Sequence, residues 1–351
     1  MTALEGVKVI CLGQFYFAPY CSMLMARLGA DVIKVEAPEG DPYRRLPTVD
    51  HDGYPIQFRF LNAGKRLIRL DLKQPAGQEV LRKLVRKADV LVQNLTPGAV
   101  ERFGLGYEQL SAINPRLIMA SGTGFGSFGP YAGEPAMDLT IQARSAIMST
   151  TGFADGPPVR TGPSVVDFVG GAHMLAGVLA ALYQRTRTGR GQHVEVALQD
   201  AIIPSLTSNI AGLLSEATES YERTGNRHGG MAVSPYNAYR TSDGWITLLC
   251  PTEAHWQRLR ELMGDPAADD PRFAQMSGRC AHMDEVDAIV ERWTSTRTKD
   301  EVVTILKEAR IPCAPVVTLP ELLEDPHVHA RGVIRTVTDE QGSFTTIGCP
   351  M

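Results

Sequence analysis

The sequence predicts an α/β fold, a Rossmann-like parallel sheet forming a large domain, followed by a smaller α+β domain. Three observations carry this. Short apolar runs alternate with amphipathic helical stretches between residues 8 and 197. A polar, glycine-containing segment follows at about residue 215, and beyond it a hairpin signature leads into amphipathic helices without further βα repeats. At 351 residues the chain is longer than one ordinary domain and suits two.

Residues 8–12 (KVICL) form a short apolar run ended by Gly13, and 18–28 is a helix with Pro19 in its first turn, where a missing N–H costs little. Gly29 closes that helix, and 31–36 (DVIKVE) alternates like a strand. Residues 37–64, rich in Pro, Gly and charge without period, read as a long surface loop of the kind that often carries function. The strand 65–72, a helix opened by Pro75 with Val80, Leu81, Leu84, Val85 and Ala88 on one stripe, and the buried strand 89–93 follow. The loop 94–98 (NLTPG) lies at the carboxyl end of that strand, where open parallel sheets bind ligands. A short helix, the strand 116–121, a helix over 139–149 and a turn at 152–158 lead to an extended run, 163–166. A long apolar helix to about residue 185, the strand 193–197 and an apolar helix over 198–214 complete the large domain, 1–215. Residues 216–232 are then a linker with a glycine loop, 233–330 a small α+β domain with a turn at Asp243-Gly244 and a Thr298/Glu301 capping box, and 331–351 a segment returning to the large domain.

A net charge of −4 without a concentrated Lys/Arg stripe argues against nucleic acid or an anionic membrane as the main partner. Six scattered cysteines (11, 21, 250, 280, 313 and 349), without a CxxC, read as reduced buried thiols. The N-terminal apolar run is too short for a signal peptide, and no stretch is expected to span a bilayer, so a cytoplasmic location is expected.

Two motifs invite chemistry. Residues 124–129 satisfy GxGxxG, but they follow several strands and run into Pro130, whereas a dinucleotide fingerprint opens a helix in the first βαβ unit. The motif is therefore read as a decoy, which argues against a nicotinamide dehydrogenase. Asp167 stands between the extended run and the helix carrying Gly170 and Gly171. It suits a helix cap. That is the first reading on spacing alone, but the same geometry also suits a carboxylate nucleophile, kept ionised by the helix N-terminus and approached closely across the two glycines.

Several motifs in order decide between these. The AP-Y-C run with LGADVIKVE (18–36), NAGKRLIRLDLK (62–73), ADVLVQNLTPG (88–98), NPRLIMASGTGFGSFGP (114–130), TGRGQHVEVALQDA (188–201) and ARIPCAPV (309–316) resemble the class III CoA-transferases, whose relatives include formyl-CoA transferase, carnitine CoA-transferase and α-methylacyl-CoA racemase. The resemblance implies an acyl-CoA:carboxylate CoA-transferase in which Asp167 attacks a donor thioester, giving a mixed anhydride and then an aspartyl-CoA thioester. It implies CoA contacts at Tyr16, Phe17, Leu70, Asp71, Leu72, Lys73, Asn94, Leu95, Thr96, Arg102 and Met137, and an acyl or oxyanion loop at His228, Gly229 and Gly230. It further implies an interlocked-ring homodimer, coenzyme A or acyl-CoA as substrate with a carboxylic acid acceptor, and neither a metal nor a tightly bound cofactor. Family members usually continue past the position of Met351, so a trimmed or absent tail is expected.

The racemases place a His immediately before the acidic residue matching Asp138, and here that residue is Met137. A thioether cannot carry a proton, which favours transfer over racemisation. Glu253 matches another racemase site residue and reads equally as a helix N-terminal carboxylate. A non-catalytic partner subunit is the third reading. His173 is expected to be a satisfied core histidine, and His327 and His329 surface residues without further metal ligands nearby.

Overall fold

The structure, a computed structural model, describes residues 2–49, 53–215, 223–339 and 342–348. Residues 216–222 of the expected linker, and Cys349 with the two residues after it, lie outside the described residues. The elements run β1 (Lys8–Cys11), α1 (Phe17–Arg27), β2 (Asp31–Glu36), α2 (Ile56–Asn62), β3 (Arg66–Arg69), α3 (Pro75–Val85), β4 (Val90–Gln93), α4 (Ala99–Arg102), α5 (Tyr107–Ile113) and β5 (Ile118–Thr123). There follow α6 (Asp138–Arg144), α7 (Ile147–Thr150), α8 (Val165–Thr188), β6 (His193–Ala197), α9 (Leu198–Ile202), α10 (Thr207–Leu214), β7 (Tyr236–Thr241) and β8 (Gly244–Leu249). The chain continues through α11 (Glu253–Met263), α12 (Met276–Ala281), α13 (Met283–Thr294), α14 (Lys299–Glu308), β9 (Cys313–Pro315), α15 (Leu319–Glu324), α16 (Pro326–Ala330), β10 (Ile334–Asp339) and β11 (Gly342–Ile347).

Two compact units result. The first holds Met1–Ser145, Gly162–Pro204 and Leu323–Met351, the second Ala146–Thr161 and Ser205–Leu322. In the first, six parallel strands lie in the order β3-β2-β1-β4-β5-β6, with Val9 opposite both Val32 and Val90, and Met119 opposite both Leu91 and His193. β1, β4 and β5 are covered on both faces, which is why they are continuous apolar runs. Edge strand β3 carries Arg66 and Arg69 into solvent. One core gathers Ile10, Leu12, Leu91 and Met119 from the sheet with Leu81 and Val85 of α3 and Leu110 of α5. Val80, expected on the same stripe, is half exposed.

The second unit is an antiparallel sheet, β7-β8-β9, with the hairpin closed at Thr241 opposite Gly244. Its core joins Tyr239, Ile246 and Leu248 to Trp256, Val290 and Leu306 of the amphipathic helices. The Thr298 hydroxyl accepts from the Glu301 N–H and the Glu301 carboxylate from the Thr298 N–H, completing the expected capping box.

Several local expectations are corrected. Within 37–49 and 53–64 the chain is not an irregular loop: a 3-10 turn at Pro42–Arg45 is tied to β2, and helix α2 packs on α1. Ion pairs hold the turn. Lys34 Nζ meets Asp41 Oδ2 at 2.5 Å, and Arg44 forks onto Glu36 at 2.7 and 2.8 Å. The helix expected over 139–149 is broken at Ala146, whose φ is +63°, giving α6 and α7. The one expected over 198–214 breaks at a 3-10 turn, Ile203–Leu206, because Pro204 supplies no N–H. His173 is exposed, with Nδ1 2.9 Å from the Val169 carbonyl, and is not a core residue.

Helix α8 corrects two further expectations. It begins at Val165, so Asp167 lies inside its first turn, and it runs to Thr188, where Gly189 in the left-handed region (φ +70°) stops it. At 24 residues it is also long and apolar enough, by length and composition alone, to cross a membrane, contrary to the expectation that no stretch would be. In the fold it packs on α1, α9, β5 and β6 with Val166, Met174, Leu175 and Val178 buried. Cys11, Cys21 and Cys250 are buried free thiols; Cys280 and Cys313 are free and only half-buried.

Candidate active site

The sheet order reverses between β1 and β4, and the chain leaves both strands at their carboxyl ends to form a crevice there. The rim is tied across that point. Asn94 Oδ1 accepts from the Gln14 N–H at 2.8 Å, and Asn94 Nδ2 donates to the Gln14 carbonyl at 3.0 Å. A cleft of about 590 Å³ opens above, walled by Phe15 and Phe17 after β1, residues 94–97 after β4, residues 122–124 at the end of β5, and Met137 and Asp167.

Asp167 is 8% exposed and reaches the cleft from the first turn of α8. It makes no side-chain cap of its own helix. That task falls to Asp138, whose Oδ2 accepts from the N–H groups of Val166 (2.9 Å) and Asp167 (3.3 Å), while Oδ1 accepts from Gln142 Nε2 at 2.6 Å. Two buried carboxylates therefore sit together. Burial, followed by the neighbouring charge of Asp138, pushes Asp167 up to about 7 from 3.8. The expectation that the helix N-terminus keeps Asp167 charged is overturned, because Asp138 takes the donors and adds repulsion.

Close packing fixes the floor of the cleft. The Phe17 ring lies between Gly122 and Gly170: a Cβ at Gly122 would stand 2.4 Å from Phe17 Cε1, and one at Gly170 3.0 Å from Phe17 Cε2 and 2.5 Å from Leu198 Cδ2. Gly171 passes the backbone of α1, where a Cβ would approach the Phe17 carbonyl oxygen to 2.9 Å. Beside this floor is an aromatic cluster in which Tyr16 packs on Tyr43 (ring centroids 4.9 Å) and on Phe168 (5.2 Å), and Tyr20 on Phe168 (4.7 Å). Burial and the adjacent Tyr16 phenol, with Asp167, raise the Tyr43 phenol well above its usual range.

The sequence-derived positions fall into groups. Phe17, Asn94, Leu95, Thr96 and Met137 share the cleft with Asp167. Leu70, Asp71, Leu72 and Lys73 line a pocket of about 190 Å³ with residues 36–39, and that pocket shares Gln14, Leu95 and Phe103 with the cleft. Tyr16 stands in the aromatic cluster. Arg102 is exposed on α4, its Nη1 3.5 Å from the Pro97 carbonyl. His228, Gly229 and Gly230 belong to the second unit, where His228 Nδ1 accepts from the Gly230 and Ala232 N–H groups at 3.2 and 3.4 Å. Glu253 opens α11; Oε1 accepts from the Met276 N–H, and Oε2 pairs with the fully buried Arg279 at 2.7 Å.

No helix starts at the glycines 124–129, which lead through turns to α6, so the first βα turn is the one after β1. Sequence reasoning missed Gln14, Asp138 as the cap of α8, and Tyr43. The signal for Asp138 was an acid opening an amphipathic helix; its partners lie 28 and 29 residues away, beyond any local pattern. Among the described residues no group of three or more His, Cys, Asp or Glu is placed to hold a metal ion, and His327 and His329 are exposed.

Fold and crevice together define a doubly wound α/β protein with a buried acid pair at the carboxyl edge of its sheet. Residues 4–351 match the sequence profile of CoA-transferase family III, and the chain belongs to that family. It is 39% identical to a formyl-CoA:oxalate CoA-transferase of Streptomyces coelicolor, over 99% of this chain and 88% of that protein. It is 37% identical to a succinyl-CoA:mesaconate CoA-transferase of Haloarcula hispanica, over 100% of this chain and 90% of that one. A CAIB/BAIF family protein from Brucella suis superposes with a TM-score of 0.85 at 35% identity, covering 100% of this chain and 92% of that one. The protein is thus a CoA-transferase, an enzyme whose substrates are a CoA thioester and a carboxylate.

Proposed function

We propose that Asp167 is the nucleophile of an acyl-CoA:carboxylate exchange running through aspartyl intermediates. The observation that carries this is a carboxylate in the cleft of the switch point whose basicity is raised by its burial and then by a second carboxylate beside it. Asp167 in its anionic form attacks the thioester carbonyl; the tetrahedral oxyanion collapses, the C–S bond breaks, and CoA leaves as thiolate. The thiolate then attacks the Asp167 carbonyl of the mixed anhydride, expelling the donor acid and leaving aspartyl-CoA. The acceptor carboxylate attacks that thioester, forming a second anhydride and thiolate, and thiolate attack on the acceptor acyl carbon regenerates Asp167. Each acylated state removes the charge that burial and Asp138 oppose, so the environment that burdens the free anion favours the covalent intermediates.

CoA is proposed to lie along the paired pockets, with contacts at Tyr16, Phe17, Leu70, Asp71, Leu72, Lys73, Asn94, Leu95, Thr96, Arg102 and Met137. The Asn94 side chain is engaged by Gln14, so its contribution is to shape the loop. Backbone N–H groups of the His228, Gly229 and Gly230 loop are proposed to receive the acyl oxyanion. The functional form is proposed to be a cytoplasmic interlocked homodimer, needing no tightly bound cofactor. Racemisation is the weaker reading: Met137 offers no proton at the position where that chemistry needs one.

The test is to incubate the protein with a panel of acyl-CoAs and carboxylates, trap with hydroxylamine, and map the modified peptide by mass spectrometry. A hydroxamate at Asp167 and loss of transfer in Asp167→Ala are expected. Full activity of that variant, or an unmodified Asp167 with every donor, refutes the mechanism, and solvent deuterium exchange at an α-carbon without an acceptor establishes racemisation instead.

A further inference from the structure

We propose that the acid exchanged at this site is a monocarboxylate with an apolar body, aliphatic or aryl, in preference to a dicarboxylate, and that Met137 sets the preference. This rests on the transfer reading above and narrows its substrate. The only charged side chains lining the cleft among the described residues are Glu134 and Asp167, both acidic, with Asp138 directly behind. Of the cations on neighbouring elements, Arg102 of α4, exposed with Nη1 3.5 Å from the Pro97 carbonyl, and Lys73 of the adjoining pocket are assigned above to CoA, and three others are engaged elsewhere. Arg144 of α6 lies over the Tyr131 ring at 3.9 Å, Arg44 forks onto Glu36, and Lys65 Nζ donates to the Pro19 carbonyl at 2.9 Å and to Asn62 Oδ1 at 3.2 Å. A second carboxylate on the substrate would leave water for a cleft without a counterion and face two acids.

The walls that remain suit an apolar chain. Phe15, Phe17, Pro135, Ala136 and Leu198 surround the space, and Met137, 49% exposed, lines it one residue before Asp138. A thioether side chain with three rotatable bonds adapts to alkyl and aryl groups of different shape. This sets the chain apart from the relatives, whose names carry the dicarboxylic acids oxalate and mesaconate.

The experiment titrates the protein calorimetrically with butyryl-CoA and with succinyl-CoA, and follows transfer from each donor to butyrate, oxalate and mesaconate by chromatography of the CoA esters. Butyryl-CoA is expected to bind about tenfold more tightly, and butyrate to be accepted with about tenfold higher kcat/KM. Equal or tighter binding of succinyl-CoA overturns the substrate class even where transfer is seen. Absence of transfer for every pair overturns the transfer reading, while the binding ratio still decides the substrate class. In Met137→Arg the ratio is expected to move about tenfold toward succinyl-CoA, and Met137→Ala is expected to weaken butyryl-CoA binding by about fourfold per lost methylene contact. Ratios unchanged in both variants remove Met137 from the assignment.

Discussion

Replacing Asp167 by Asn should stabilise the protein, and by an amount that depends on pH. A carboxyl whose pKa rises on folding holds its proton more tightly in the folded chain. It costs nothing below pH 3.8, costs progressively more as pH rises from there to about 7, and costs a constant amount above. The gap between 3.8 and about 7, at 1.36 kcal/mol per tenfold, amounts to ~4 kcal/mol. Asn has the same shape and no charge to desolvate. The variant should therefore gain ~2 kcal/mol at pH 5 and ~4 kcal/mol at pH 8 over the parent, with no gain below pH 3.8. Urea unfolding of both proteins across that range measures it, the slopes being compared to confirm that the same surface is exposed. An offset independent of pH, or a variant less stable than the parent at pH 8, would refute the account of a buried acid held against a neighbouring charge.

Other outcomes follow from the same geometry. Asp138→Asn keeps an acceptor for α8 but removes the charge, so the acid limb of kcat/KM, expected near pH 7 in the parent, should move to lower pH; Asp138→Ala should also lose ~1–3 kcal/mol of stability, because the Val166 and Asp167 N–H groups lose their acceptor. Gly122→Ala drives a methyl into the rigid Phe17 ring and should cost ~1–3 kcal/mol, with a raised KM for acyl-CoA, both measurable on the purified variant. Lys34→Met leaves Asp41 buried without its partner and should cost ~3–5 kcal/mol in thermal or urea unfolding, much of which Asp41→Asn in the same chain should restore.

How much of this was legible in the sequence depended on the range of the interactions. Strands β1, β2, β4 and β6 and helices α1, α11, α13 and α14 could be read because their periodicity, caps and Pro or Gly stops lie within a few residues. The segment 37–64 could not, since its order comes from Lys34 and Glu36 reaching forward to Asp41 and Arg44, and an ion pair leaves no periodic trace. At the site, Asp167 stood out through its glycines, and Asn94 through its place after a strand. The reason Asp167 is basic was hidden: local reasoning gave the helix N-terminus to Asp167, whereas the fold gives it to Asp138. His173 was misread because an apolar neighbourhood in sequence still includes the outer face of a helix.

Arg185, near the far end of α8, is buried and donates from Nη1 to the Arg116 carbonyl at 3.0 Å and from Nη2 to Asp89 Oδ1 at 2.9 Å. It follows Asp167 by 18 residues, about five whole turns at 3.6 residues each, so the two side chains project in the same direction some 27 Å apart along the axis. The helix thus behaves as an axle keyed at one end. Its angular phase is locked where β4 and β5 begin, and the aim of the carboxylate at the opposite end inherits that phase, so a change at the distant Asp89 rim is expected to turn the Asp167 side chain without touching the cleft.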